Sequence, residues 1–131
     1  MGARKRLKAE ERKEANKQIY FAKLNNCTSS PRKMRLIADL VRGMDVVKAS
    51  NVLQFHKQEA SNKISKLLWS AVANFEEKSG GNWEGAGLFI QEVKVDGGRT
   101  LKRIKPRAQG RAYRIRKRSN HVTLVLGTQE Q

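Results

Sequence analysis

Hydrophobic and polar positions repeat with two different periods along the chain, and each change of period marks an element. Ile19 to Asn26 alternates every second residue, with Ile19 and Phe21 on one side and Tyr20, Ala22 and Leu24 on the other, which predicts a first strand. After Thr28-Ser29-Ser30 the pattern turns helical: Met34, Ile37, Ala38 and Val41 follow the i, i+3, i+4, i+7 spacing of one buried face. Ser30 stands as N-cap, Pro31 takes the first helical position, where its missing N–H costs nothing, and Gly43 supplies the stop. Asp45 is placed to cap a second helix that turns Val46, Ala49, Val52 and Leu53 inward and ends near Phe55-His56-Lys57. The third helix, from about Glu59 to Lys78, carries a continuous stripe of Ala60, Ile64, Leu67, Leu68, Ala71, Val72 and Phe75. Trp69 lies off that stripe, so it packs on a neighbouring element or meets a partner.

Ser79 to Gly87 reads as a loop on its glycines. Leu88 to Val95 returns to strand character, with Phe89, Val93 and Val95 on one parity. His121 to Leu126 alternates again, Val122, Leu124 and Leu126 against Thr123 and Val125. Two strands flanking one long connection predict an antiparallel hairpin, and Pro106 and Gly110 mark its turn near Ala108. Met1 to Lys17 has no apolar face. It is either a frayed tail or a helical extension, in which Glu10 with Lys13 and Glu14 with Lys17 sit at i, i+3. The segregation of helices from strands predicts an α+β fold: three helices packed on a small antiparallel sheet, with a long protruding β-hairpin. The expected division is a basic extension at 1–17, one globular domain at 18–126 that includes the hairpin at about 96–120, and a short tail at 127–131.

Charge changes this picture. The formal net charge is +16 on 131 residues, with a pI near 10.6, a balance that points first to nucleic acid and less often to an anionic membrane. Ten of the twenty residues from Arg99 to Arg118 are Lys or Arg, and no acid occurs between Gly97 and Gln129. That stretch cannot neutralise itself, and its scattered apolar residues cannot make a core, so it needs a polyanion. Seven of those ten are Arg, whose planar forks match phosphate oxygens bidentately. Aromatic residues make up only 6%, which argues against base-stacking platforms. Arg32, Lys33 and Arg35 add cations to the first turn of the first helix, against the helix dipole; they mark an anionic partner or a solvated face.

Catalytic chemistry finds little to hold. His56 and His121 are far apart, no metal-ligand spacing or phosphate-binding loop occurs, and Glu76-Glu77 diverge on a helix. Asp96 in Val-Asp-Gly-Gly reads as a turn residue. No enzyme, metal, cofactor or small-molecule substrate is expected. Cys27 has no partner for an internal disulfide and reads as a small residue beside a strand. No apolar run approaches the roughly 18 residues that span a bilayer, and no signal peptide is visible, so no membrane role is expected and the cytoplasm is the expected compartment.

Two segments also resemble a known family. Ser30-Pro31-Arg32-Lys33-Met34-Arg35-Leu36-Ile37-Ala38-Asp39-Leu40-Val41-Arg42-Gly43 is similar to the first-helix signature of the universal large-subunit ribosomal protein family twenty-two. Thr100 to Ala112, followed by Arg114-Ile115-Arg116-Lys117-Arg118 and His121-Val122-Thr123, is similar to its ribbon. The likeness runs from about Ile19 to Leu126. It implies a globular domain on the outside of the large subunit and a hairpin that threads through 23S ribosomal RNA to line the nascent-peptide exit tunnel, its tip close to the macrolide-binding region. It also implies a part in early subunit assembly, with neighbouring ribosomal proteins and the nascent peptide as further partners. Carried onto this chain, the tip is Lys102 to Arg111, with Pro106, Arg107, Ala108, Gln109 and Gly110 at its end, and the legs are Asp96 to Leu101 and Ala112 to Asn120. The family's acidic-Gly-Pro entry to the ribbon stands here as Asp96-Gly97-Gly98-Arg99, and the tail is longer and more charged than the family's minimum.

The residues expected to touch RNA phosphates are Arg32, Lys33, Arg35, Arg99, Lys102, Arg103, Lys105, Arg107, Arg111, Arg114, Arg116, Lys117 and Arg118. A free-standing RNA chaperone or regulatory nucleic-acid-binding module would use the same charges without a fixed site.

Overall fold

Helices gather on one side of a sheet whose last two strands outrun the third. In this computed structural model, which describes residues 3–17 and 19–128, α1 (Ala3–Lys17) precedes β1 (Tyr20–Cys27), α2 (Pro31–Val41), α3 (Val46–Phe55) and α4 (Glu59–Ser79). Then come β2 (Leu88–Pro106) and β3 (Ala112–Thr128). The sheet is antiparallel in the order β1-β3-β2. The fold is α+β, with α2 and α4 against the sheet and α3 on α4. Of the two readings of the basic extension, the helical one holds over 3–17, with an i, i+4 pair between Arg6 and Glu10 (2.9 Å) in place of the expected i, i+3 pairs. The first two residues of the extension, Gln18 and the part of the C-terminal tail from residue 129 lie outside the described residues; Gly127 and Thr128 complete β3.

The helical periods map onto the core residue by residue. Met34, Ile37, Ala38 and Val41 of α2 are buried, as are Val46, Ala49 and Leu53 of α3 and the whole expected stripe of α4, while Val52, also expected inward, is half-buried. Truncating a side chain such as Leu68, fully buried, costs about 2–5 kcal/mol. Ser61 joins that stripe as a buried polar residue because its hydroxyl donates to the Leu53 carbonyl and ties α4 to α3. Trp69 packs edge-on against Trp83, with ring centroids 5.6 Å apart. Ser30 and Asp45 occupy the N-cap positions, but neither side chain caps; the Asp45 carboxylate pairs with Lys48 at 3.0 Å instead.

Strand parity holds only between bulges. Ala22 is buried and Phe21 lies on the open face, as the alternation predicts; then the register slips between Leu24 and Cys27, with Asn26 left-handed (φ 55), and Cys27 turns inward. In β2, Leu88 and Ile90 face the core, a register shift follows between Ile90 and Glu92, and Val93 and Val95 turn inward after it. Phe89 therefore does not share a face with Val93 and Val95. It lies over Gly127, where an added Cβ would come within 2.8 Å of its ring.

Both outer strands would present bare carbonyls to solvent, a template for pairing with other chains. The helices cover them. On the β1 side, Asn74 Nδ2 donates to the Phe21 carbonyl (3.0 Å) and Lys78 Nζ to that of Ile19 (2.9 Å). On the β2 side, the Gly43 N–H donates to the Ile90 carbonyl (2.9 Å) and the Ile90 N–H to that of Met44 (2.9 Å). Arg42, at the C-cap of α2, and Arg35, within it, then reach the carbonyls of Val93 (2.9 Å) and Val95 (3.1 Å). The cover ends at Val95, just short of the ribbon.

Arg42→Ala removes a charge-assisted bond to a half-buried carbonyl and is expected to lower stability by about 1–2 kcal/mol in urea unfolding. Arg6→Ala breaks an exposed surface pair and is expected to change it by less than about 0.5 kcal/mol. Equal effects would remove the edge-covering role assigned to Arg42.

Candidate nucleic-acid interface

The ribbon leaves the sheet where β1 ends. Cys27, Asn120 and Gly97 form the last row of three, and past it β2 and β3 continue as a pair from Thr100 opposite Arg118 to Pro106 opposite Ala112. Asn120 is fully buried in that row, and its Nδ2 donates to the Ser29 carbonyl at 2.7 Å. The Asp96-Gly97-Gly98-Arg99 entry makes a bulge rather than a turn, with the register shifting between Gly97 and Thr100. Gly98 fits closely there: a Cβ would lie 2.6 Å from the Ser119 hydroxyl oxygen, which would have to turn away, and 3.2 Å from the Ser119 carbonyl carbon. Asp96 pairs with His121, whose Nδ1 accepts the Asn26 N–H at 3.0 Å, so this histidine braces the root.

At the far end the chain reverses through Arg107 to Arg111. The Arg107 N–H donates to the Arg111 carbonyl (2.8 Å), and Gln109 (φ 59) and Gly110 (φ 69) are both left-handed. Gly110 adopts that conformation without penalty, whereas Gln109 bears a cost of about 1 kcal/mol. Arg107 lies over the Tyr113 ring, 5.4 Å from its centroid, so one tip cation is held by a cation–π contact. At roughly 3.3 Å per residue the legs carry this tip on the order of 30 Å from the root.

Register sorts the side chains. Lys102, Ile104, Arg114, Arg116 and Arg118 share one face; Leu101, Arg103, Lys105, Tyr113, Ile115 and Lys117 share the other. Across the ladder each cation opposes an uncharged residue: Leu101 opposite Lys117, Arg103 opposite Ile115, Ile104 opposite Arg114, Lys105 opposite Tyr113. Lys102 opposite Arg116 is the exception among the pairs from Thr100 to Ala112. The interleaved apolar residues thus separate like charges within the ladder; every residue from Leu101 to Arg118 remains exposed. Both faces therefore present cations, and the ribbon can be enclosed by an anionic partner rather than laid on one.

The three α2 cations do not converge. Arg35 spends a nitrogen on Val95 at the ribbon root, Lys33 lies on the side of α4's first turn, where its charge helps lower the pKa of Glu59, and Arg32 is exposed. Glu59 is held below the usual carboxylate range chiefly by its hydrogen bond with Lys63 (2.8 Å), and Lys63 is correspondingly raised. Sequence periodicity overlooked Lys23, Lys63 and Lys66, which line a groove beside the root; they flank apolar stripes and belong to no charge run. Among the described residues no group of three His, Cys, Asp or Glu side chains is placed to hold a metal ion, and no helix is long and apolar enough to cross a membrane.

Comparison with known proteins follows the same geometry. Residues 22–127 match the family model described as ribosomal protein L22p/L17e, a span that holds nearly all of the sheet, α2 to α4 and the ribbon and excludes α1. A Flavobacterium johnsoniae protein named large ribosomal subunit protein uL22 is 66% identical over 128 residues, 97% of this chain and 93% of that one. Proteins of the same name from Christiangramia forsetii (64% identical, 97% and 95% covered) and Porphyromonas gingivalis (59%, 98% and 96%) are similar over nearly their full lengths.

Lys102→Glu tests the charge layout. It converts the opposed cations into a Glu–Arg116 pair, worth about 0.5–1 kcal/mol to the free ribbon, and should sharpen the ribbon's strand-type chemical shifts. The same change should lower the log–log salt slope of polyanion binding by about 1.5. Unchanged shifts with unchanged slope would show that the ladder charges are idle.

Proposed function

The chain belongs to the ribosomal protein L22p/L17e family, and we propose that, within the large ribosomal subunit, it binds 23S ribosomal RNA through its ribbon, aids subunit assembly and lines the nascent-peptide exit tunnel with the ribbon tip. It is a structural constituent of the large subunit, not an enzyme, and works in the cytoplasm as part of the ribosome.

The observation that carries the RNA reading is the exposed, acid-free ribbon with ten cations in twenty residues. Releasing counterions from phosphates supplies affinity with little sequence preference, so sequence specificity must come from shape. A ribbon with cations on both faces fits a channel between RNA segments. Arg99, Lys102, Arg103, Lys105, Arg114, Arg116, Lys117 and Arg118 are assigned to the phosphates along its legs, with Arg32, Lys33 and Arg35 at the body. Pro106, Ala108, Gln109 and Gly110 shape the tip, and Arg107 and Arg111 flank it where a nascent peptide would pass. Residues 1–17 then act as a basic extension and 18–126 as one domain, with neighbouring large-subunit proteins around them. A free-standing RNA chaperone would need the cations but not a bulged, glycine-fitted root that fixes where the ribbon points.

Arg114→Ala with Arg116→Ala is expected to lower the salt slope of binding to 23S RNA fragments by about 1.5–2 and to erase a discrete patch of backbone protection. Salt-independent binding would contradict phosphate contact. Diffuse protection by the unaltered protein would favour the chaperone.

A further inference from the structure

We propose that the pole of the body away from the ribbon is a protein-docking surface, which seats an apolar side chain from a basic segment of a neighbouring large-subunit protein. The proposal rests on the chain's place in the large subunit and not on how the ribbon binds RNA. At this pole Leu88 pairs with Thr128, at the opposite end of the sheet from the tip. A hollow of about 250 Å³ opens there, and its lining includes Asp45, Val46, Val47, Trp83, Glu84 and Leu88. Val47 is 56% exposed, and Trp69, 43% exposed, packs edge-on against Trp83. The chain's only two tryptophans thus meet at its surface. Tryptophan is enriched among the residues that carry binding energy in protein interfaces.

Charge sets this surface apart. No Lys or Arg occurs from Ser79 to Val93, and Gly43 to His56 contains only Lys48, in a chain with 28 such residues. The fold joins the two stretches: Asp45 bridges to Phe89, and the Ile90 N–H donates to the Met44 carbonyl. Lys48 is spent on Asp45 at 3.0 Å, whereas Glu84 forms no ion pair among the described residues. The lining of the hollow accordingly holds two acids and no cation. A phosphate backbone meets repulsion there and no counter-charge. A lysine or arginine beside an apolar anchor finds both the hollow and Glu84. Proteins that share an RNA assembly carry cations for the same reason as this chain, so a basic segment is what the surroundings offer. The ribbon does not repel it: Thr100 lies on the order of 30 Å from Leu88 along β2, and charges are screened over about 8 Å at physiological salt. A hollow that seats one side chain is too small to hold a complex alone, so it works as an anchor within the assembled subunit.

The test assembles large subunits in cells from the full chain with the photocrosslinker p-benzoylphenylalanine in place of Val47, then washes them in high salt and irradiates them. The crosslink should join one neighbouring protein, at an apolar residue within a peptide rich in Lys or Arg. Adding Glu84→Lys should lower its yield by at least about threefold while the ribbon's protection of 23S RNA stays as in the parent. Val47 and Glu84 are exposed, so both variants should melt within about 2 °C of the parent. If the chain altered at Val47 does not enter subunits, the crosslinker replaces exposed Asn51, one turn further along α3. A crosslink only to 23S RNA, only to a second copy of this chain, or to nothing overturns the docking surface; with the ribbon's protection intact, the RNA reading stands. A protein crosslink that is lost in the salt wash, or that Glu84→Lys leaves unchanged, also overturns it. The occupant would then be a passing factor, or one not selected by charge. Absent ribbon protection with the crosslink retained would overturn the RNA reading alone.

Discussion

Electrostatic self-repulsion within the ribbon governs how this structure is organised. Two unit charges about 5 Å apart repel by about 0.8 kcal/mol even in water, and a two-stranded hairpin alone is barely stable before that cost is added. The ladder softens the repulsion by setting Leu101, Ile104, Tyr113 and Ile115 opposite cations, yet Lys102 still faces Arg116 and no acid lies within reach along the strands. The chain itself offers the ribbon no counter-charge, and the proposed contact with RNA phosphates would supply it from outside.

The body must then be stable without the ribbon's help, and its construction follows from that requirement. Three helices close one face of a three-stranded sheet, and their side chains cover both sheet edges up to Val95 on one side and Phe21 on the other. Past Val95 the cover stops, and the backbone that follows runs on into the two-stranded ribbon. Asn120, buried in the last three-stranded row, and Gly98, pressed against Ser119, fix the point and direction of departure. A rigid root converts a floppy charged hairpin into one that is aimed.

Much of this was legible in the sequence because helical periods survive folding. Met34, Ile37, Ala38 and Val41, and the stripe from Ala60 to Phe75, became core without exception. Strand parity was less secure. A bulge inserts one residue and inverts every face after it, so alternation alone puts Phe89 on the wrong side, and the bulge at Gly97 to Thr100 has the composition of a turn. Pro106 and Gly110 located the tip, but left-handed Gln109 carries no compositional mark. Arg35 shows the limit of reading cations as a partner's footprint: its guanidinium also satisfies one of the protein's own carbonyls. The lysines of the groove are invisible in the sequence for the opposite reason, since only the packing of α4 on β1 brings Lys23 beside Lys63 and Lys66.

The central claim is that the ribbon is shaped by its root and tip but ordered by RNA. Amide hydrogen exchange over Thr100 to Arg118, in the free protein and bound to 23S RNA, reads that directly. The ribbon amides should exchange rapidly when free while those of α4 stay protected, and should slow by at least about tenfold on RNA. Equal protection of the ribbon in both states would contradict the account, because the charges would then be held apart by the fold alone.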